Sequence, residues 1–195
     1  MTTRRQFIGT GVALAALPSA SFAASFAAAT SSALRLERFV FDSRFAAAAT
    51  VAGHMADRGV PLSAVAGDLT NLWYHELDLA WKRAPQPLAG VTTRQGLFVL
   101  ETLAADHRMR VVYRGEHRTA ASGRMSHTFT GPDELIVRLG EEAPEFAWST
   151  LGAALTECPA AARRNATCEL ASAALSAPLP DELLVSWIIA PRLAA

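Results

Sequence analysis

The sequence predicts an α/β fold: a single domain with a mostly parallel sheet of about four to five strands and flanking helices, plus a β-hairpin and a helical C-terminal third. Three observations carry this. Short β-type runs alternate with stretches of helical apolar spacing from Leu36 to Arg114. The first strand, helix and strand fit within ~30 residues, the span of one βαβ unit. No internal repeat, heptad pattern or linker divides the chain of 195 residues, a length that suits one domain with its own core.

Each element has a local reason. Leu36–Phe41 reads as a strand, and Asp42-Ser43 as the N-cap of a helix carrying Phe45, Ala48, Ala49, Ala52, Met55 and Ala56 on one face. Arg58-Gly59 reads as its stop, and Val60–Ala66 as the second strand. A second helix runs from Asp68 or Thr70 to Arg83, ahead of Pro85 and Pro87. Its apolar stripe is Leu69, Leu72, Trp73, Leu77 and Trp81, and Asp78 and Lys82 are spaced for an ion pair on the other face.

Pro87–Val91 is the expected third strand. Thr92 with Gln95 fits a capping box for a helix through Leu97, Leu100, Leu103 and His107. Met109–Arg114 follows as a fourth strand. Arg124–Thr130 and Glu134–Leu139 read as hairpin arms around Gly131-Pro132-Asp133. Phe146–Leu155 and Ala160–Leu175 read as helices, and Leu183–Ala190 as a last buried strand.

Composition excludes several functions. The 18 basic and 18 acidic residues cancel, and hydrophobic residues make up 51%, so the chain is too apolar and too weakly charged for disorder. Seventeen of the 18 basic residues are arginine, but they form no run. Neither a nucleic-acid footprint nor a membrane-surface patch results. No phosphate-binding loop, nucleophile elbow or other cofactor motif is present, so no cofactor is expected. The five histidines, His54, His75, His107, His117 and His127, are scattered through the chain without a metal-binding spacing.

The leader carries the most specific signal. Met1–Arg5 is a cationic start, Gln6–Ala16 a mildly apolar stretch, and Ser21-Phe22-Ala23 offers small residues at a cleavage site. The apolar stretch is too short for a membrane helix, and Pro18 interrupts it, so no stable membrane insertion is expected. Thr3-Arg4-Arg5-Gln6-Phe7-Ile8 resembles the twin-arginine export signal. A general-secretory leader is the alternative. Residues 1–23 are thus read as signal, 24–33 as an Ala/Ser-rich tether and 34–195 as the domain. Without Arg4 and Arg5 the count is 16 basic against 18 acidic, near −2. The resemblance implies a periplasmic protein that folds before export and meets the twin-arginine translocase. It also implies that a passenger without its own cofactor travels with a partner or folds fast. Small subunits of periplasmic flavin dehydrogenases are similar in leader and size, which suggests an accessory role beside a redox enzyme.

Three further features complete the candidates. Ligands in open α/β sheets bind beyond the carboxyl ends of strands. Asp42, Arg44, Asp68, Thr70, Thr92, Thr93, Arg94 and His117 would gather there and suit an anion or carboxylate. The competing reading is that the Asp and Thr residues only cap helices. Tyr74 and His75 are the exposed members of an aromatic cluster that could face a partner; core packing with a solvated face is the alternative. Cys158 and Cys168 are an even pair, which an oxidising compartment would join as a disulfide.

Overall fold

The computed structural model describes residues 33–119, 124–141, 146–160, 164–172 and 183–191. The leader, with Arg4 and Arg5, and the tether before Ala33 lie outside the described residues. So do residues 161–163 and 173–175 of the last expected helix.

Among the described residues, seven strands form one mixed sheet: β1 (Arg38–Asp42), β2 (Leu62–Val65), β3 (Leu88–Thr93), β4 (Met109–Thr119), β5 (Met125–Pro132), β6 (Asn165–Ser172) and β7 (Leu184–Pro191). Their order is β2-β1-β3-β7-β4-β5-β6. β1 pairs in parallel with β2 and β3, and every other pairing is antiparallel. The four strands expected to run together therefore do point the same way, but β7 separates β4 from the other three. The α/β fold is as expected, but the mostly parallel sheet of four to five strands is met only in β2-β1-β3, because the final apolar strand completes the middle of the sheet from the opposite direction.

Strand alternation sends Phe39, Ala89, Val91, Tyr113 and Ile188 to one face, under α1 (Ala46–Asp57), α5 (Asp133–Glu141) and α6 (Trp148–Thr156). Val40, Leu88, Val185, Trp187 and Ile189 go to the other, under α4 (Arg94–Asp106) and the helix made of α2 (Thr70–Leu72), a π-helical turn (Trp73–Leu77) and α3 (Asp78–Arg83). The apolar stripe expected of that helix is largely buried: Leu69, Leu72, Leu77 and Trp81 each expose 6% or less. Asp78 and Lys82 pair at 2.7 Å. At the seam between the parallel and antiparallel halves, the Trp187 indole lies over Gly90, where a Cβ would come within 2.4 Å of both the ring and the Val40 carbonyl. Only glycine lets the two strands pack this closely.

Several local expectations shift. The helix after β1 starts at Phe45, which supplies no side-chain cap. Asp42 instead accepts from the Arg44 amide at 3.2 Å, and Ser43 Oγ donates to the Val65 carbonyl at 3.0 Å. The α4 cap is Thr93, whose hydroxyl accepts from the Gly96 amide at 3.2 Å, one residue later than the Thr92/Gln95 box. Thr92 is occupied elsewhere, accepting from the Trp187 indole N–H at 3.0 Å.

The C-terminal third differs most. Residues 134–139 form part of a helix: Leu135, Ile136 and Leu139 bury at helical spacing, and Asp133 accepts from the Glu134 amide at 3.1 Å. β5 forms its hairpin with β4 instead. Asn165–Ser172 is a strand and not a helix: Leu170 and Ser172 turn inward with a period of two and the whole segment pairs with β5. Pairing with a neighbouring strand decides the element here.

Candidate functional site

The carboxyl ends of β1 to β3 bring the expected polar residues other than His117 to one edge of the sheet, but they do not share one pocket. Asp42 is 1% exposed, and its carboxylate takes both the Nε (3.0 Å) and an Nη (2.8 Å) of Arg44. The guanidinium lies over Gly67, whose φ of +85° places a Cβ-free surface beneath it; a Cβ there would meet the Arg44 Cζ at 2.9 Å. This bidentate pair ties the end of β1 to the loop after β2.

Asp68 serves the next helix. Its carboxylate accepts from the Thr70 amide at 2.8 Å, and the hydrogen bonds from Thr70 hold its pKa below the ordinary value. It is therefore an ionised, exposed group at neutral pH. Arg94 opens on a separate cavity of about 100 Å³ with Phe98, Glu101 and Arg114. Capping and strand tying thus account for Asp42, Asp68 and Thr93.

Asp68 and Thr70 also line a groove of about 320 Å³ between the π-helical turn and α4, with Trp73, Tyr74, Gln95 and Val99. Tyr74 is 66% exposed and Val99 43%; Phe98, further round α4, is 68% exposed. A π turn adds a residue to the helical repeat, and such turns are frequent at functional sites. His75 is exposed beside Tyr74, on the solvent side of the same turn. Apolar walls with a few polar groups are the ordinary composition of a recognition surface.

His117 belongs to a different structure, on the other face of the sheet. It sits opposite His127 in the β4–β5 ladder, and the two Nδ1 atoms are 2.8 Å apart. His117 Nε2 bonds to Ser186 Oγ at 2.9 Å, Ser186 Oγ to the Tyr113 hydroxyl at 3.1 Å, and His127 Nε2 to Ser172 Oγ at 2.9 Å. A hydrogen-bonded chain of five side chains thus crosses β7, β4, β5 and β6. Phe129, Phe146 and Trp148 pack around the two imidazoles. Gly115 makes room for it: a Cβ there would come within 2.4 Å of Ser186 Oγ and 2.7 Å of the Tyr113 oxygen.

The proton count in this chain is constrained. A neutral imidazole has one N–H. Two neutral rings joined through Nδ1 atoms must therefore hold opposite tautomers, one protonated at Nδ1 and the other at Nε2. Either choice satisfies all four bonds. Two charged rings would set N–H against N–H. Burial, followed by repulsion from His127, drives the His117 pKa well below its ordinary value, and burial brings His127 down to about 4. Burial likewise raises the Tyr113 pKa. Ser172, His127 and His117 have the spacing of a hydroxyl, a base and an orienting group. A base near pKa 4 gives little driving force for proton transfer at neutral pH, however. Ser172 itself is 6% exposed. The arrangement is suited to bonding four strands together.

The His117–His127 pair corrects the reading of the histidines as scattered. Their meeting depends on the register of the β4–β5 pairing, in which residues 117 and 127 face each other. Gly131-Pro132-Asp133 is the stronger local turn signal and points to a different hairpin. Tyr113, Ser172 and Ser186 have no sequence signal, because their meeting depends on the order of the strands. Among the described residues, no group of three or more His, Cys, Asp and Glu could hold a metal ion, and no helix is long and apolar enough to cross a membrane. Cys158 and Cys168 are free thiols in this structure. Burial and then the nearby Glu134 carboxylate push the Cys158 thiol up to about 12, far from a reactive thiolate. No family model, curated protein or solved structure matches the chain.

Proposed function

We propose that the chain is an exported partner-binding protein with no reaction of its own, and that it docks through the groove between the π-helical turn and α4. The observation that carries this reading is the exposure of Tyr74 beside Val99, over a groove whose one charged lining group among the described residues is the Asp68 carboxylate. A fitting occupant is a protein segment that inserts an apolar side chain between Tyr74 and Val99 and sets a lysine or arginine against Asp68. Aromatic anchors of this kind supply much of the binding energy at interfaces. The leader, with Arg4 and Arg5, supports a periplasmic location, and a periplasmic redox enzyme is the partner class that such a passenger suggests.

The second reading, a small anion or carboxylate bound at the strand ends, has less support. Asp42 already occupies the Arg44 guanidinium in a bidentate pair, and Asp68 brings negative charge to the adjoining groove.

Purification of the full-length chain from the periplasm of its native host tests the proposal. A stoichiometric partner should accompany the wild type and be lost from Tyr74→Ala. A monomer that retains no protein at all would overturn the docking reading. Lysine at both positions 4 and 5 should hold the chain in the cytoplasm; unchanged export would overturn the twin-arginine assignment.

A further inference from the structure

At the opposite edge of the sheet, where β7 ends and β4 and β6 begin, lies a second groove, of about 350 Å³. That size lies within the range of small-molecule sites. Among the described residues, its charged lining groups are Arg110 and Arg164, and no carboxylate lines it. Both arginines are exposed. Among the described residues, neither guanidinium has an ion-pair or hydrogen-bond partner, whereas Arg38, Arg44, Arg114, Arg118 and Arg138 each pair with a carboxylate. Asn165 adds an amide beside them.

The remaining wall is apolar and stiff. Four prolines contribute to it, each with a fixed φ and no N–H to satisfy. Val112 is the extra residue where the β4–β7 register shifts between Val111 and Tyr113, and it lines the groove. A bulge of this kind re-aims a side chain, and bulges concentrate next to binding sites. Two cations without a counter-charge, beside a rigid apolar wall, are complementary to a molecule with an anionic head and an apolar body. A pre-formed wall also lowers the ordering cost of binding.

We propose that this groove binds an apolar-tailed anion, with its head between Arg110 and Arg164 and its tail along Val112 and the prolines. A carboxylate and a phosphate monoester share this chemistry. Calorimetric titration and thermal shift of the full chain with octanoate, octyl phosphate, octanol and inorganic phosphate separate the possibilities. Saturable binding of at least one octyl anion, with Tm raised by several degrees at millimolar ligand, is expected; the tighter of the two identifies the head group. The double variant Arg110→Ala/Arg164→Ala should weaken that binding at least tenfold while the unliganded Tm stays within about a degree. Val112→Trp should block the tail without touching either charge. No saturable binding of either octyl anion would overturn the proposal. So would equal binding of octanol, equal binding of inorganic phosphate, or unchanged affinity in the double arginine variant.

Discussion

The two halves of the sheet handle polar side chains in opposite ways. In the parallel half, β2-β1-β3, polar groups collect at the strand ends and are settled locally: Asp42 by Arg44 two residues on, Thr93 by Gly96, Asp68 by Thr70. In the antiparallel half, β7-β4-β5-β6, they lie inside, and each partner comes from another strand: Ser186 with His117, His117 with His127, His127 with Ser172. The first arrangement keeps its charges near the rim, either exposed to water as at Asp68 or, at buried Asp42, neutralised by a half-exposed guanidinium. The second must be neutral, because a charge under Phe146 and Trp148 would be strongly desolvated.

Acid should separate the halves most clearly. The folded-state pKa of His127 lies near 4 and that of His117 is also depressed, against about 6.5 in the unfolded chain. Neutral imidazole therefore stabilises the fold above about pH 6.5, and this contribution is lost as pH falls toward 4. His127 alone accounts for roughly 3 kcal/mol across that window. Urea unfolding at pH 7 and pH 4.5 should show the loss. The double variant His117→Leu/His127→Leu should lose less stability over the same interval.

The seam comes next in size. Gly90→Ala forces a methyl group against the Trp187 ring and the Val40 carbonyl and should cost about 2–3 kcal/mol by urea unfolding. A change within 0.5 kcal/mol would mean that the halves are not packed this tightly. Arg44→Ala leaves a buried carboxylate without its bidentate partner and should cost about 1–2 kcal/mol. The effect is on stability, whereas the anion-site reading expects it on ligand binding with the fold intact. Thr93→Ala removes one cap and should cost about 1 kcal/mol; Thr92→Ala would act instead through the lost bond to Trp187.

The same contrast decides what the sequence makes legible. Elements of the parallel half follow from nearby residues: the apolar stripe from Leu69 to Trp81, the stop at Gly59 with its φ of +74°, and the Asp78–Lys82 pair. Caps there are found within a residue, because Thr92 and Thr93 are adjacent hydroxyls and backbone geometry selects the second. In the antiparallel half the decisive facts are long-range. Residues 165–172, read with the alanines around them as a helix, form a strand along the edge that β5 offers. Leu184–Pro191 is recognisable as a buried strand, but its insertion between β3 and β4 is not written in its own residues. The candidate site divides likewise. The exposure of Tyr74 and His75 follows from helical periodicity, while the burial of His117 depends on a partner across the hairpin.

The proposed docking places recognition on the Tyr74–Val99 face and not on the ionic groups at the strand ends. Its most direct measurement is co-purification of a stoichiometric partner from native periplasm with three full-length chains: wild type, Tyr74→Ala/Val99→Asp and Arg44→Ala. Retention by the wild type and by folded Arg44→Ala, with loss from Tyr74→Ala/Val99→Asp at unchanged Tm, is the expected result. Loss from folded Arg44→Ala with retention by Tyr74→Ala/Val99→Asp would contradict it.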